Sequence, residues 1–165
     1  MKKLLLGIAA VCLAGFTFAQ DAPLWMRHSV ISPDGTTIAF TYKGDIYTVP
    51  VAGGRAMQIT TNPAYDTAPV WSPDSKRIAF ASDRMGSLDV YIVAKDGGEP
   101  RRLTTHSGSE TPLAFTDAGH VLFSAGIMPS AEAVVFPSNG QFNQVYRVSV
   151  EGGRPTMISS MPMEC

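Results

Sequence analysis

The stretch 32–40, SPDGTTIAF, decides the fold because it returns 40 residues later as SPDSKRIAF at 72–80. Three further anchors recur behind it in the same order: an acidic or amide residue before an aliphatic residue and tyrosine, a glycine pair, and an aliphatic residue before threonine or serine. They are Asp45-Ile46-Tyr47, Asp89-Val90-Tyr91 and Gln144-Val145-Tyr146; Gly53-Gly54, Gly97-Gly98 and Gly152-Gly153; Ile59-Thr60, Leu103-Thr104 and Ile158-Ser159. Units that recur about every 40–45 residues predict the blades of a β-propeller. The sequence holds three such units, whereas a closed propeller has about 4–8 blades.

The second unit shows how one repeat forms one blade. Short apolar runs at 68–71, 77–82, 88–94 and 101–104 predict four strands, named a to d in chain order. The turn Ser72-Pro73-Asp74 separates the first two, since proline presets a turn torsion and aspartate accepts hydrogen bonds from turn amides. We therefore predict an all-β fold: three four-stranded antiparallel blades of an incomplete propeller. The domain is 20–165, with blades at about 24–62, 63–106 and 107–160.

Antiparallel strands sort the loops onto two faces of the propeller. The a–b and c–d turns, which carry the repeated Ser-Pro-Asp and Gly-Gly residues, lie on one face, and the b–c and d–a connections lie on the other. From the strand-b phenylalanine to the strand-c tyrosine, the spacing grows from 7 to 11 to 23 residues across the three units. Insertions in repeat proteins gather on the face used for binding. We therefore predict that recognition occurs on the b–c/d–a face.

Seven residues on that face are candidate binding residues. They are Tyr65, Asp66, Asp83, Arg84, His106, Phe136 and Phe142. The charged ones form either a clamp for a ligand or a contact that stabilises the loops, which is an ion pair or an aspartate bonded to turn amides. The two phenylalanines belong to the insert 127–144, which is either a docking loop or a lid over its own blade.

The sequence gives little support to catalysis or to metal binding. No serine stands in a G-x-S-x-G elbow, and no lysine and helix follow the glycine pairs as they do in a phosphate loop. We therefore predict no catalytic residue and no cofactor. His28, His106 and His120 lie in different units without metal-ligand spacing, so we also predict no metal site.

The first 19 residues predict a secretory leader, with Lys2-Lys3 before an apolar run at 4–16 and small residues up to Ala19. An apolar run of about 13 residues is shorter than the roughly 20 that span a bilayer. A lipidated Cys12 would lack the small residue that normally precedes it. We therefore expect cleavage after Ala19 and a periplasmic or secreted protein without a membrane span after cleavage.

The charge and cysteine content of the cleaved chain argue against two further classes of protein. Cleavage removes two of the 13 basic residues, which leaves 11 against 14 acidic residues and a net charge of −3. No basic stripe is present to neutralise phosphates, so we expect no nucleic-acid partner. Cys165 remains as a single cysteine, which excludes a disulfide framework or a thiolate cluster within this chain.

The repeat resembles the TolB-type, WD-like propeller repeat, and a wider string resembles the first blades of exported bacterial tricorn-type serine peptidases. That wider string comprises Pro23-Leu24-Trp25, Lys43-Gly44-Asp45-Ile46-Tyr47, Ala64-Tyr65-Asp66, Pro69-Val70-Trp71-Ser72-Pro73-Asp74, Ala81-Ser82-Asp83-Arg84 and Arg102-Leu103-Thr104. The resemblance covers about 22–160 and implies a propeller that filters or guides peptides, truncated before the protease core. We expect a non-catalytic module for peptide or protein binding. The alternatives are part of a serine endopeptidase whose catalytic domain lies outside this chain, and a TolB-like envelope scaffold.

An incomplete ring leaves one open face on the first blade and one on the third. We expect apolar residues to be exposed there, and these open faces to bind the remaining blades or a second copy of the chain. The residues expected at these faces are Ile38, Phe40, Ile46, Val121, Phe123 and Val145.

Overall fold

The computed structural model describes residues 25–126 and 143–159, which form three four-stranded antiparallel sheets and contain no helix within those ranges. The strands are β1 (Arg27–Ile31), β2 (Thr37–Tyr42), β3 (Asp45–Pro50), β4 (Met57–Gln58), β5 (Asp66–Trp71), β6 (Arg77–Ser82), β7 (Asp89–Ala94), β8 (Arg101–Arg102), β9 (Glu110–Asp117), β10 (His120–Ala125), β11 (Gln144–Ser149) and β12 (Thr156–Met157). Consecutive strands pair, four to a sheet, in chain order. The predicted all-β fold of three propeller blades is confirmed. No helix in the described ranges is long and apolar enough to cross a membrane.

The repeated Ser-Pro-Asp turn forms the a–b turn through a short network of hydrogen bonds. In blade 1 the Ser32 hydroxyl donates to Asp34 at 2.6 Å, and the same carboxylate accepts the Thr36 amide at 2.9 Å. These hydrogen bonds, that from Ser32 first, lower the pKa of Asp34 to about 2. Blade 2 repeats the contact between Ser72 and Asp74 at 2.5 Å. The repeat is therefore a turn-forming motif, as the sequence predicts.

Ser75 shows why one turn glycine could be replaced. It adopts φ 57°, the left-handed conformation that Gly35 adopts at the same position of blade 1 with φ 71°. This conformation costs a side chain some strain. In return, the Ser75 hydroxyl accepts a hydrogen bond from the Asp34 amide of blade 1 at 3.1 Å. The substitution therefore links the turns of two neighbouring blades.

Side chains of blade 2 alternate between its two neighbouring blades. Ile78, Phe80, Tyr91 and Val93 of blade 2 pack against Ala39, Ile46 and Ile59 of blade 1. From the opposite face of the same sheet, Ala79, Val90 and Ile92 pack against Val121, Phe123, Tyr146 and Val148 of blade 3. The core thus lies in two layers between the blades.

The expected exposure of apolar residues at the open faces is wrong for four of the six. Ile46, Val121 and Phe123 are fully buried, because strand alternation places them in the two layers between blades. Phe40 is also buried, with its ring stacked on Tyr47 at 5.8 Å between centroids. Ile38 and Val145 are half-buried. The large hydrophobic side chains exposed on the two outer blades include Met26, Ile31, Met57, Leu113, Met157 and Ile158.

Candidate functional site

The b–c/d–a face carries five of the seven predicted binding residues in the described part of the chain. Tyr65 and Asp66 lie where the d–a connection enters β5, and Asp83 and Arg84 follow β6. His106 lies in the next d–a connection, between β8 and β9. Phe136 and Phe142 lie outside the described residues, so their part in the site stays a prediction.

Asp66 and Arg84 form a partly buried ion pair within blade 2. One guanidinium nitrogen of Arg84 contacts both carboxylate oxygens of Asp66 at 3.1 Å, and its Nε donates to the Ser82 hydroxyl at 2.9 Å. The guanidinium carbon lies 4.5 Å from the ring centroid of Tyr91 and 5.6 Å from that of Phe80. Asp66 is fully buried. These contacts have the geometry of the structural ion pair, one of the two alternatives that the sequence left open.

Asp83 positions Tyr65 at the surface. Its carboxylate accepts the Tyr65 amide at 2.7 Å, and the next amide, that of Asp66, donates to the Gly44 carbonyl at 2.7 Å. The Tyr65 ring packs against Gly44, where a Cβ atom would lie 3.5 Å from ring atom Cδ2. The ring is nevertheless 42% exposed. The loop is therefore held from both sides while its aromatic side chain faces solvent.

The three histidines have separate local partners. His28 lies 3.1 Å from the Thr67 hydroxyl, and His120 lies 3.1 Å from the Asp117 carboxylate. His106 is exposed and its Nδ1 accepts the Gly108 amide at 2.9 Å. In the described ranges, no group of three or more histidine, cysteine or acidic residues lies close enough to hold a metal ion.

A groove beside Tyr65 lies on this face and has a volume of about 560 Å³. We call it the blade 1 groove; it is lined by Trp25, Arg27, Thr41, Lys43, Gly44 and Tyr65. Strand β1 supplies Arg27, which pairs across the sheet with Thr41 of β2, and the β2–β3 turn supplies Lys43 and Gly44. The groove therefore lies where a b–c turn, a d–a connection and the start of an inner strand meet.

Sequence reasoning found only Tyr65 among the residues of this groove. Trp25 and Arg27 precede the first recurring anchor, which begins at Ser32, and Lys43 is not itself one of the recurring anchors. The available signal was the position of the Lys43-Gly44 turn, which is a b–c connection on the predicted binding face. Because this turn is short, the comparison of spacings indicated the longer b–c connections of blades 2 and 3 instead.

Sequence reasoning also missed a buried polar cluster between blades 2 and 3. Arg102 contacts the buried carboxylate of Asp89 at 2.8 Å, and the Thr104 hydroxyl accepts the Val90 amide at 2.9 Å. Beside them Glu110 is 1% exposed and takes part in none of the ion pairs in the described part of the chain. Burial, with the nearby Asp89 carboxylate, raises the pKa of Glu110 to about 7, against the opposing influence of Thr104 and Arg102.

Comparison with known proteins links this fold to a family of peptidase propellers. Residues 23–164 match the family described as the tricorn protease N-terminal beta propeller domain. Over 102 residues the chain is 35% identical to Tricorn protease homolog 1 of Streptomyces coelicolor, covering 61% of this chain and 9% of that protein. Over 129 residues it is 30% identical to the uncharacterized peptidase YuxL of Bacillus subtilis, covering 77% of this chain and 20% of that protein.

A solved structure with the same fold is TolB from Acinetobacter baumannii. It superposes with a TM-score of 0.63 at 21% identity, over 82% of this chain and 32% of that chain. The chain thus spans a fifth or less of the two curated relatives and about a third of the TolB structure.

Proposed function

This chain belongs to the tricorn protease N-terminal β-propeller family, and we propose that it is a non-catalytic module that binds peptide or protein segments. The observation that carries the proposal is the blade 1 groove, which combines exposed aromatic rings with two basic side chains on the face where the repeats diverge. Concave sites with a few polar groups among apolar ones are typical of ligand binding. The proposal includes export of the chain, which the leader-like N-terminus supports.

Two alternatives draw on the comparisons. Similarity to tricorn protease homolog 1 favours part of a serine endopeptidase whose catalytic domain lies outside this chain. Likeness to TolB favours an envelope scaffold that binds partner proteins, although at 21% identity that likeness shows the fold alone. Reading the DNA that follows the last codon distinguishes them: an in-frame or frameshifted protease core supports the endopeptidase, and a propeller of about six blades without one supports the scaffold.

A binding assay with defined peptides tests the proposed function. The processed chain, fluorescently labelled, is passed over an array of synthetic acetylated tetrapeptides, and retention is compared for wild type, Tyr65→Ser and Trp25→Ser. We expect both variants to lose most retention, because both rings line the groove. Met85→Ser serves as the matched control, since Met85 is 65% exposed on the same face but does not line the groove. Equal retention by all four proteins, or none by wild type, would refute the proposal.

An activity assay separates a binding module from an enzyme. Casein and a panel of fluorogenic peptides should show no turnover by the purified chain. Turnover that survives removal of contaminants and disappears on a single Ser→Ala change would show that this chain itself is catalytic.

We also propose that the outer faces of blades 1 and 3 bind the remaining blades or a second copy of the chain. Met26, Ile38, Phe40 and Val49 line a mostly apolar hollow of about 500 Å³ on the outer side of blade 1. By repeat position, Ile38 and Phe40 correspond to Ile78 and Phe80, which blade 1 covers. Light scattering coupled to size exclusion at micromolar concentration should therefore show dimers or larger species. A monodisperse, cooperatively melting monomer that binds no hydrophobic dye would contradict this.

A further inference from the structure

Two cations of the blade 1 groove have no carboxylate partner in the described part of the chain. Arg27 and Lys43 are exposed and take part in none of the ion pairs there. Each instead lies over an aromatic ring: Arg27 is 5.5 Å from the centroid of Trp25, and Lys43 is 5.3 Å from that of Tyr42. A cation over an aromatic face keeps its charge available to an anion on its other side.

Three arginines of blade 2 contact carboxylates. Arg84 contacts Asp66, Arg101 contacts Glu151, and Arg102 contacts Asp89. Arg77 donates instead to the Ala118 carbonyl, so each of these four guanidinium groups has a polar partner within the protein. The contrast separates the groove cations from the structural ones.

A buried hydroxyl group in the groove wall is the second, independent observation. Thr41 lines the groove, is 2% exposed, and its Oγ1 has no hydrogen-bond partner in the described ranges. Buried polar atoms in proteins nearly always have a partner, so an unpaired one in a groove wall suggests that a ligand supplies it. A hydroxyl can donate to a carboxylate oxygen, which is also the group that Arg27 and Lys43 attract.

The aromatic side chains of the groove indicate which kind of residue lies next to the anionic group of the ligand. Trp25 is 70% exposed and Tyr65 is 42% exposed, and both line the groove beside the cations. Such rings offer apolar contact area at little cost in conformational entropy. The net charge of −3 after leader cleavage opposes a nucleic acid as the anionic ligand, since nucleic-acid affinity depends on many cations that neutralise phosphates.

We propose that the blade 1 groove binds a peptide carboxylate that stands next to an apolar or aromatic residue. Arg27 and Lys43 contact the carboxylate oxygens, the Thr41 hydroxyl donates to one of them, and the rings of Trp25 and Tyr65 contact the neighbouring side chain. The carboxylate is either a C-terminus or an aspartate or glutamate side chain. This inference rests on the proposed function and specifies the ligand for it.

Two pairs of synthetic peptides test the inference and distinguish the two sources of the carboxylate. Acetyl-Ala-Ala-Phe with a free C-terminus is compared with its C-terminal amide, and acetyl-Phe-Asp-Ala-amide is compared with acetyl-Phe-Asn-Ala-amide. Binding to the full processed chain is measured by isothermal titration calorimetry. We expect one acidic peptide to bind at least about tenfold more tightly than its neutral partner, and the preference to shrink as salt is raised.

Groove variants locate the binding. Arg27→Gln and Lys43→Gln should each weaken binding of the preferred peptide about five- to tenfold, and Thr41→Val about threefold. Arg154→Gln is the control, because Arg154 is an exposed cation that does not line the groove, and it should leave binding unchanged. Circular dichroism melts confirm that each variant is folded, and the surface positions of Arg27 and Lys43 keep the test valid if Thr41→Val is unstable.

Three outcomes would overturn the inference. One is equal binding of acidic and neutral peptides, which would leave the proposed function standing. Another is unchanged binding by Arg27→Gln and Lys43→Gln. The third is tighter binding of a single-stranded oligonucleotide than of either acidic peptide, with the same dependence on the two cations.

Discussion

A buried carboxylate lies at the same position of the fold at both blade boundaries, but its partners differ between the two. Asp66 is the first residue of β5 and Glu110 the first of β9, and each donates its amide to a carbonyl of the preceding blade at 2.7 Å. Asp66 forms an ion pair with Arg84, whereas Glu110 takes part in none of the ion pairs among the described residues. Both are buried.

The sequence after strand b explains the difference. Asp66 lies opposite Ser82 at the end of β6, and Arg84 stands two residues further on. Glu110 lies opposite Ala125 at the end of β10, and the residue two positions on is Ile127. The segment 127–142 contains no lysine, arginine or histidine. The same fold position is therefore occupied by an ion pair in one blade and by an acid whose pKa burial raises to about 7 in the next.

An aromatic layer lies below the two carboxylates, and substitutions in it should have the largest effect on stability. Phe80 stacks on Tyr91 with centroids 5.9 Å apart, and Phe123 stacks on Tyr146 at 5.6 Å. We expect Phe80→Ala and Phe123→Ala each to lower the free energy of unfolding by about 3–5 kcal/mol, because both rings are fully buried. Urea denaturation measures this loss of stability. Losses no larger than that of Leu113→Ala, whose side chain is 44% exposed, would contradict the packing described for both blades.

The second prediction concerns the positive charge of Arg84, which pairs with the buried carboxylate of blade 2. Arg84→Met keeps an apolar stem over Tyr91 and leaves the buried Asp66 carboxylate without its counter-ion. We expect a loss of about 3 kcal/mol in the free energy of unfolding at pH 7. Adding Asp66→Asn should restore much of it, since no buried charge then remains unpaired. A double variant no more stable than Arg84→Met alone would show that packing, and not charge, sets the effect.

The third prediction concerns the unpaired acid of blade 3. Below the unfolded pKa of 4.5, Glu110 is neutral in both states. Between pH 4.5 and about 7 the unfolded chain ionises it while the fold keeps it protonated, so its contribution to stability falls as pH rises through this window. Glu110→Gln should therefore match wild type near pH 4 and exceed it by about 3 kcal/mol at pH 8. Urea denaturation of both proteins at the two pH values tests this prediction. A difference in stability that does not change with pH would contradict the raised pKa of Glu110.

The smallest effect is expected at an exposed ion pair between blades 2 and 3. Arg101 and Glu151 lie 2.8 Å apart, but their side chains are 49% and 74% exposed. Water and salt screen such pairs, so Glu151→Gln should leave the denaturation midpoint unchanged within error. A shift comparable to that of Arg84→Met would mean that exposure does not separate the two kinds of pair.

The sequence by itself determined the fold class, the blade count and the turns of this protein. Ser-Pro-Asp turns, alternating apolar runs and glycine pairs act through local geometry, so residues 32–40 and 72–80 predict structure without knowledge of distant contacts. The predicted second strand b, 77–82, coincides with β6 for the same reason. The candidate groove was partly predictable, because it lies on the face that the loop insertions indicated and Tyr65 lines it.

Only the tertiary structure decided which side chains on that face remain open to a ligand. Asp66 and Arg84 stand 18 residues apart, and the sequence could not show whether they would contact each other or a ligand. Alternation within a strand shows two faces but not which neighbour covers each, so Ile46 and Phe123 were expected at the surface and lie inside. The blade 1 groove joins Trp25, Lys43 and Tyr65 from three separate segments. Such contacts arise when whole blades pack, and no local pattern encodes them.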